Sequence, residues 1–292
     1  SLAGNAPAAW IFDLDAHPTI HADLEQLSSL LDRLMVIGRA ADPDASLSIS
    51  LSVGPYVIDV NGDQPFSSAS AAKLYWTVAA VGVAGAEPVE DLAAAVFMSS
   101  DNSAAGRLID VAGVDEINRF TERLGMESTY LSVWAFDRGR FASDRAERGS
   151  SNTTSANDLT LFLDKLRYVE LLGPETTARV LAWMMLTPDN VGGPTGYGGA
   201  LADRLPSHVA ARTMHKAGWL PPNCCSDPEQ VIIAGGIVPL PDGATFSIAV
   251  AAAGGSDYAA QVEWVGQVTC SVYSTIVDER SCDYSEPTDE SS

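Results

Sequence analysis

Phe66-Ser67-Ser68-Ala69-Ser70-Ala71-Ala72-Lys73 marks the point where an extended segment gives way to an apolar helix. Residues three apart on a helix share a face, so the Lys73 amine can approach the Ser70 hydroxyl and take its proton. A serine at a helix N-terminus also meets free backbone N–H groups and the positive end of the helix dipole. Together these make an activated nucleophile within one turn of chain. The bland alternative is a helix cap followed by a solvated lysine.

Two further patterns bear on that choice. Ser100-Asp101-Asn102 breaks the apolar run Leu92 to Met98 from a second one beginning at Ser103, which reads as helix, polar break, helix. Asp and Asn commonly cap helices and make turns, so this could be structural only. His215-Lys216-Ala217-Gly218-Trp219 precedes two strand-like runs, Val231 to Val238 and Thr245 to Ala252. Its bland reading is an edge strand that happens to carry a lysine.

In this order the three patterns resemble the S-x-x-K, S-D-N and K-T-G motifs of the class A β-lactamases and related penicillin-recognising serine enzymes. PVEDLAAAVFMSSDNSAAGRLI, RFTERLGMESTYLSVW, NTTSANDLTLFL and VIIAGGIVPLPDGATFSIAVAAAGG extend the likeness over residues 25 to 278. The resemblance implies an α/β (α+β) fold: an antiparallel sheet covered by N- and C-terminal helices, with an inserted all-helical lobe. It implies that Ser70 is the acyl-forming nucleophile and Lys73 its proton partner. Ser100 would relay a proton to the leaving atom, and Asn102 would orient the substrate amide and Lys73. Lys216 would supply positive charge for a substrate carboxylate and for Ser100. The N–H groups of Ser70 and Trp219, just past Gly218, would form the oxyanion hole.

The match departs from the family in three places. Ala217 replaces the hydroxyl residue that binds a substrate carboxylate, a loss of about 1.5–3 kcal/mol for a hydrogen bond to a charged group. Aligning TYLSVWA with the omega loop puts Val133, Trp134 and Ala135 there, with Ala135 at the place of the deacylating glutamate. Asp137, Asp144 and Glu147 follow and read as solvated loop charges. The interval from Ser70 to Ser100 is shorter than is usual in the family, so a more open or differently walled cleft is expected. His215 is expected to be a strand residue.

The chain has 292 residues, 46% of them hydrophobic, enough for a sizeable core. Its net charge of −21 argues against nucleic acid or an anionic membrane as a partner. Cys224, Cys225, Cys270 and Cys282 lie in the last quarter and match no zinc spacing. We read them as two disulfides tying the Pro-Pro-Asn-Cys-Cys loop to the C-terminal helix and tail, in an oxidising compartment. The pairing stays open, although a bond between adjacent Cys224 and Cys225 needs strained geometry. No metal or cofactor is expected.

Residues 1 to 20 read as a leader wrapping the surface. Leu24, Leu27, Leu30, Leu31 and Leu34 have helical spacing. Leu47 to Val53 and Tyr56 to Val60 read as strands joined at Gly54-Pro55. The final helix, about Tyr258 to Val277, carries Trp264, Val268, Val272 and Ile276 four apart. The expected division is 1–66 with 207–292 as an α/β lobe and 67–206 as a helical lobe, with the site in the cleft between them. The expected activity is a Ser70 acyl-enzyme on a small β-lactam, ester or peptidoglycan-derived substrate, in a monomer outside the cytoplasm, and a poor β-lactamase. The alternatives are an inactive binding or sensor protein of the same fold, and a structural envelope protein held by an N-terminal lipid.

Overall fold

The computed structural model describes residues 22–132, 152–193, 196–222 and 230–278. The first helix, α1 (Leu24–Ala41), opens with a capping box in which the Asp23 carboxylate accepts the Gln26 N–H and the Gln26 side chain accepts the Asp23 N–H. Its buried face carries Leu27, Leu30, Leu31 and Leu34 of the predicted leucine stripe plus Met35 and Gly38, whereas Leu24, the first helical residue, is exposed. Each buried leucine stabilises the fold by about 1.5–3 kcal/mol. Strands β1 (Ala45–Val53) and β2 (Tyr56–Val60) follow as a hairpin through Gly54-Pro55, as expected. A two-residue strand β3 (Phe66–Ser67) leads into a 3₁₀ turn over Ala69–Ala72.

The middle of the chain is helical: α2 (Lys73–Ala84), α3 (Glu90–Ser99), α4 (Asn102–Ala112) and α5 (Val114–Leu124). Then come β4 (Thr153–Thr154), α6 (Ala156–Arg167), α7 (Pro174–Met184) and the short α8 (Ser207–Ala210). The chain returns to the sheet with β5 (Met214–Leu220), β6 (Val231–Pro239) and β7 (Thr245–Gly254), and ends in α9 (Tyr258–Val277).

The sheet is antiparallel in the order β2-β1-β7-β6-β5, so β5 is an edge strand. The side-chain period of two explains how its faces are used. Leu47, Ile49, Leu51 and Val53 face the core shared with α1 and α9. Ser48, Ser50 and Ser52 alternate with them, and the β1 backbone there meets α6, whose Thr160 hydroxyl donates to the Ser50 carbonyl. A second core joins α2 through α7 to the other face. Helix α1 crosses α9 closely because residue 38 is glycine: a Cβ there would stand 2.7 Å from the Trp264 indole nitrogen. That indole donates to the Leu34 carbonyl at 2.8 Å.

Ser70 lies at the N-terminal end of the α2 helix, as expected. It sits in the 3₁₀ turn, and the regular helix begins only at Lys73. Cys270 is buried on α9 and is not a free thiol. Cys224, Cys225 and Cys282 lie outside the described residues, as do the expected leader, Val133, Trp134, Ala135, Asp137, Asp144 and Glu147. Among the described residues, no helix is long and apolar enough to cross a membrane, and no cluster of His, Cys, Asp and Glu could hold a metal.

Candidate active site

Three elements converge at the outer edge of β5. The first is the turn carrying Ser70. The Ser68 N–H donates to the Asn152 carbonyl at 2.9 Å, and β3 pairs with β4 at Phe66–Thr154 and Ser67–Thr153. Ala69 then takes φ +42°, a left-handed conformation that costs a non-glycine residue about 1–2 kcal/mol. The Ser70 N–H donates to no acceptor among the described residues, as befits the first turn of a helix. Ser70 is half-buried, whereas Lys73, one turn on, is buried.

The second element is the break between α3 and α4. Ser100 ends α3 in the left-handed conformation, φ +52° and ψ +36°. Asp101 caps α4 by accepting the Ala104 N–H at 2.7 Å. This geometry turns Ser100 and Asn102 toward Lys73. The Lys73 ammonium donates to the Ser100 carbonyl at 2.5 Å, to Ser100 Oγ at 3.1 Å and to Asn102 Oδ1 at 2.6 Å. The helical spacing raises the expectation of a Lys73–Ser70 hydrogen bond. The structure instead gives all three donors to the α3–α4 break, because that break folds over the lysine and offers it three oxygens.

The third element is β5. Lys216 Nζ donates to Ser100 Oγ at 3.1 Å and to the Ala217 carbonyl at 2.7 Å, and lies 5.5 Å from the centre of the Trp219 ring. In an antiparallel edge strand, alternate residues direct both backbone polar groups off the ladder. The His215 carbonyl accepts from Thr187 Oγ1 at 2.7 Å and the Ala217 carbonyl from Lys216, so residues of that parity point away from β6. The Trp219 N–H has the same parity and therefore faces the cleft. Gly218 brings β5 against the nucleophile's turn: a Cβ there would lie 2.6 Å from the Ser70 nitrogen. The Ser70 nitrogen thus lies against β5, on the edge to which the Trp219 N–H points.

The electrostatics follow from burial. Lysine occurs three times in the chain, at 73, 165 and 216, and two of the three are here. Lys165 pairs with Glu170 on the surface, while neither site lysine has a carboxylate within ion-pair distance among the described residues. Burial holds the Lys73 ammonium down to about 8, partly offset by the charge of Asp101. Burial, and then the charge of Lys73, hold Lys216 well below the ordinary lysine value. One lysine is therefore available as a base near neutral pH.

The structure thus brings Ser70, Lys73, Ser100, Asn102, Lys216, Gly218 and Trp219 together. Ala217 is a correction: its methyl is wholly buried in the core behind the sheet, and it meets the site through its carbonyl alone. His215 is wholly buried with neither ring nitrogen hydrogen-bonded among the described residues, and burial drives its imidazole down to about 3. Its side chain shares the Ala217 face, away from Ser100. Two features escaped the sequence reading, the Trp219 indole over Lys216 and the left-handed Ser100. The scarcity of lysine was visible in the composition and singles out the site.

The model of the β-lactamase enzyme family matches residues 82–276, beginning after Lys73. No curated protein matches the chain. Among solved structures, a class A β-lactamase representative from Bacteroides cellulosilyticus is 16% identical, with TM-score 0.69 over 87% of this chain and 99% of that one. A β-lactamase from Sphaerobacter thermophilus is 20% identical, with TM-score 0.66 over 83% and 95%. The structure of PBP-A is 20% identical, with TM-score 0.63 over 83% and 94%. At these identities the likeness is one of fold.

Proposed function

Because this chain belongs to the β-lactamase enzyme family, we propose that it is a serine acyl-transfer enzyme that forms an ester on Ser70. Neutral Lys73 takes the Ser70 proton as Oγ bonds to the carbonyl carbon of an amide or ester. The oxygen's developing charge lies between the Ser70 and Trp219 N–H groups. Collapse breaks the carbon–nitrogen or carbon–oxygen bond. Ser100 gives its proton to the departing atom and is reprotonated by Lys73, so the proton from Ser70 leaves with the product. Water or another acceptor then cleaves the ester. The observation that carries this reading is the placement of Ser100 Oγ 3.1 Å from the side-chain nitrogens of both Lys73 and Lys216.

With alanine aligned at the glutamate's place, deacylation is slow and β-lactam turnover poor. The protein acts outside the cytoplasm, where its cysteines pair. Intact mass after incubation with a fluorophosphonate and a panel of β-lactams tests this. A stable adduct on the wild type and none on Ser70→Ala is expected. No adduct with any probe overturns it, in favour of an inactive binding protein. One observation favours that second reading: Lys73 spends its hydrogen bonds on Ser100 and Asn102. Four free thiols under denaturing, non-reducing conditions would remove the extracytoplasmic reading.

A further inference from the structure

Lys216 is buried to 1% exposure, although Ser70 and Ser100 beside it are half-open. An ammonium has three N–H donors. Here one meets the Ala217 carbonyl and one meets Ser100 Oγ, while the Trp219 ring, which also packs against the far core, lies with its centre 5.5 Å from the ammonium. An indole face attracts a cation within about 6 Å of its centre and gains strength where water is excluded. The ring is therefore close enough to compete with an incoming anion for the ammonium. The neighbouring position offers no substitute, since the Ala217 side chain is a buried methyl.

We propose that the Trp219 indole caps Lys216 and makes this an acyl-transfer site for uncharged esters and amides, with no requirement for a substrate carboxylate. The proposal rests on the acyl-transfer reading and deepens it. Lys216 then acts on Ser100 only, its charge favouring proton delivery from that hydroxyl. Trp219 has two separate roles: its backbone N–H faces the oxyanion position, and its side chain sets specificity. Replacing the side chain leaves the N–H in place.

The test uses benzylpenicillin and its methyl ester, which differ only in the carboxylate. Wild type is expected to be acylated by the ester at least as fast as by the free acid, and Trp219→Ala to shift the ratio tenfold or more toward the acid. Tenfold faster acylation of wild type by the free acid overturns the proposal. A second arm needs no turnover. With 13C-lysine labelling only three side chains report, and the ε-protons of Lys216 should be shifted upfield by the indole ring current. That shift should persist in part in Trp219→Phe and vanish in Trp219→Ala. Added acetate should move the Lys216 signal in Trp219→Ala and not in wild type. A wild-type response to acetate, or the absence of the ring-current shift, overturns the capping geometry. If neither penicillin acylates Ser70 while the shift is present and acetate is excluded, the capping stands and the acyl-transfer reading fails.

Discussion

Gly218 and Ser70 meet backbone to backbone: a methyl built on Gly218 would stand 2.6 Å from the Ser70 nitrogen and 2.4 Å from that of Ala71. Neither neighbour is a flexible side chain that could yield. Gly218→Ala should therefore push β5 away from the nucleophile's turn and separate the two N–H donors. Loss of one such donor slows acyl transfer about 10²–10³-fold, and the overpacking costs about 1–3 kcal/mol of stability. Rates of Ser70 labelling together with urea denaturation measure both. Wild-type labelling in this variant would show that β5 takes no part.

Lys73 is the group whose protonation should govern acylation. Its neutral fraction grows as pH rises through about 8, so the labelling rate of Ser70 should climb with pH and level off above that value. A rate independent of pH from 6 to 9 would exclude Lys73 as the base.

The same burial makes Lys73 costly to the fold. Its pKa falls from 10.5 in the unfolded chain to about 8 when folded, roughly 3 kcal/mol against the charged form. That cost is full below pH 8 and disappears above 10.5. Lys73→Met should therefore melt higher than wild type at pH 7 while Ser70 labelling falls about 10²–10⁴-fold. A lower melting temperature would mean that its hydrogen bonds to Ser100 and Asn102 outweigh desolvation.

His215 should make the protein sensitive to acid. The folded ring stays neutral down to about pH 3, held there by burial and then by the charge of Lys216. In the unfolded chain it takes up a proton below about 6.5. Its contribution is thus complete above pH 6.5 and declines as pH drops toward 3, by up to about 1.4 kcal/mol per pH unit. His215→Leu should flatten this part of the stability profile. Parallel profiles for the two proteins would refute the assignment.

Asp42 should be a stability residue remote from the chemistry. Buried at the end of α1, it accepts the N–H groups of Ser256 and Asp257 and the Gln261 amide, tying α1 to the β7–α9 corner. Asp42→Ala leaves those donors without their acceptor and should cost roughly 1.5–3 kcal/mol in denaturant titrations, with Ser70 labelling retained. A cost below measurement would show that water replaces the carboxylate.

The fold was legible because its signals are local. The leucine stripe of α1, the alternation of β1 and the stripe of α9 are periodicities that a chain carries whatever surrounds it. The motif residues were legible for the same reason, as short patterns with fixed spacing. Three things were not. Lys73 turned from Ser70 to Ser100 and Asn102 because a break 27 residues later folds over it, and no spacing within one turn of helix encodes that. Ala217 lost its place on the cleft surface because strand parity sends its methyl into the far core, a fact of sheet register. The Trp219 ring came to lie near Lys216 because an edge strand leaves both side chains room to curl around the same border.

The sequence by itself determined which elements form and which residues are chemically able to act, since propensity, periodicity and residue type belong to the chain. Only the tertiary structure decided which donor meets which acceptor and which ammonium is shielded. Those outcomes depend on distances of a few ångströms between segments far apart in sequence, and on the exclusion of water that their packing creates.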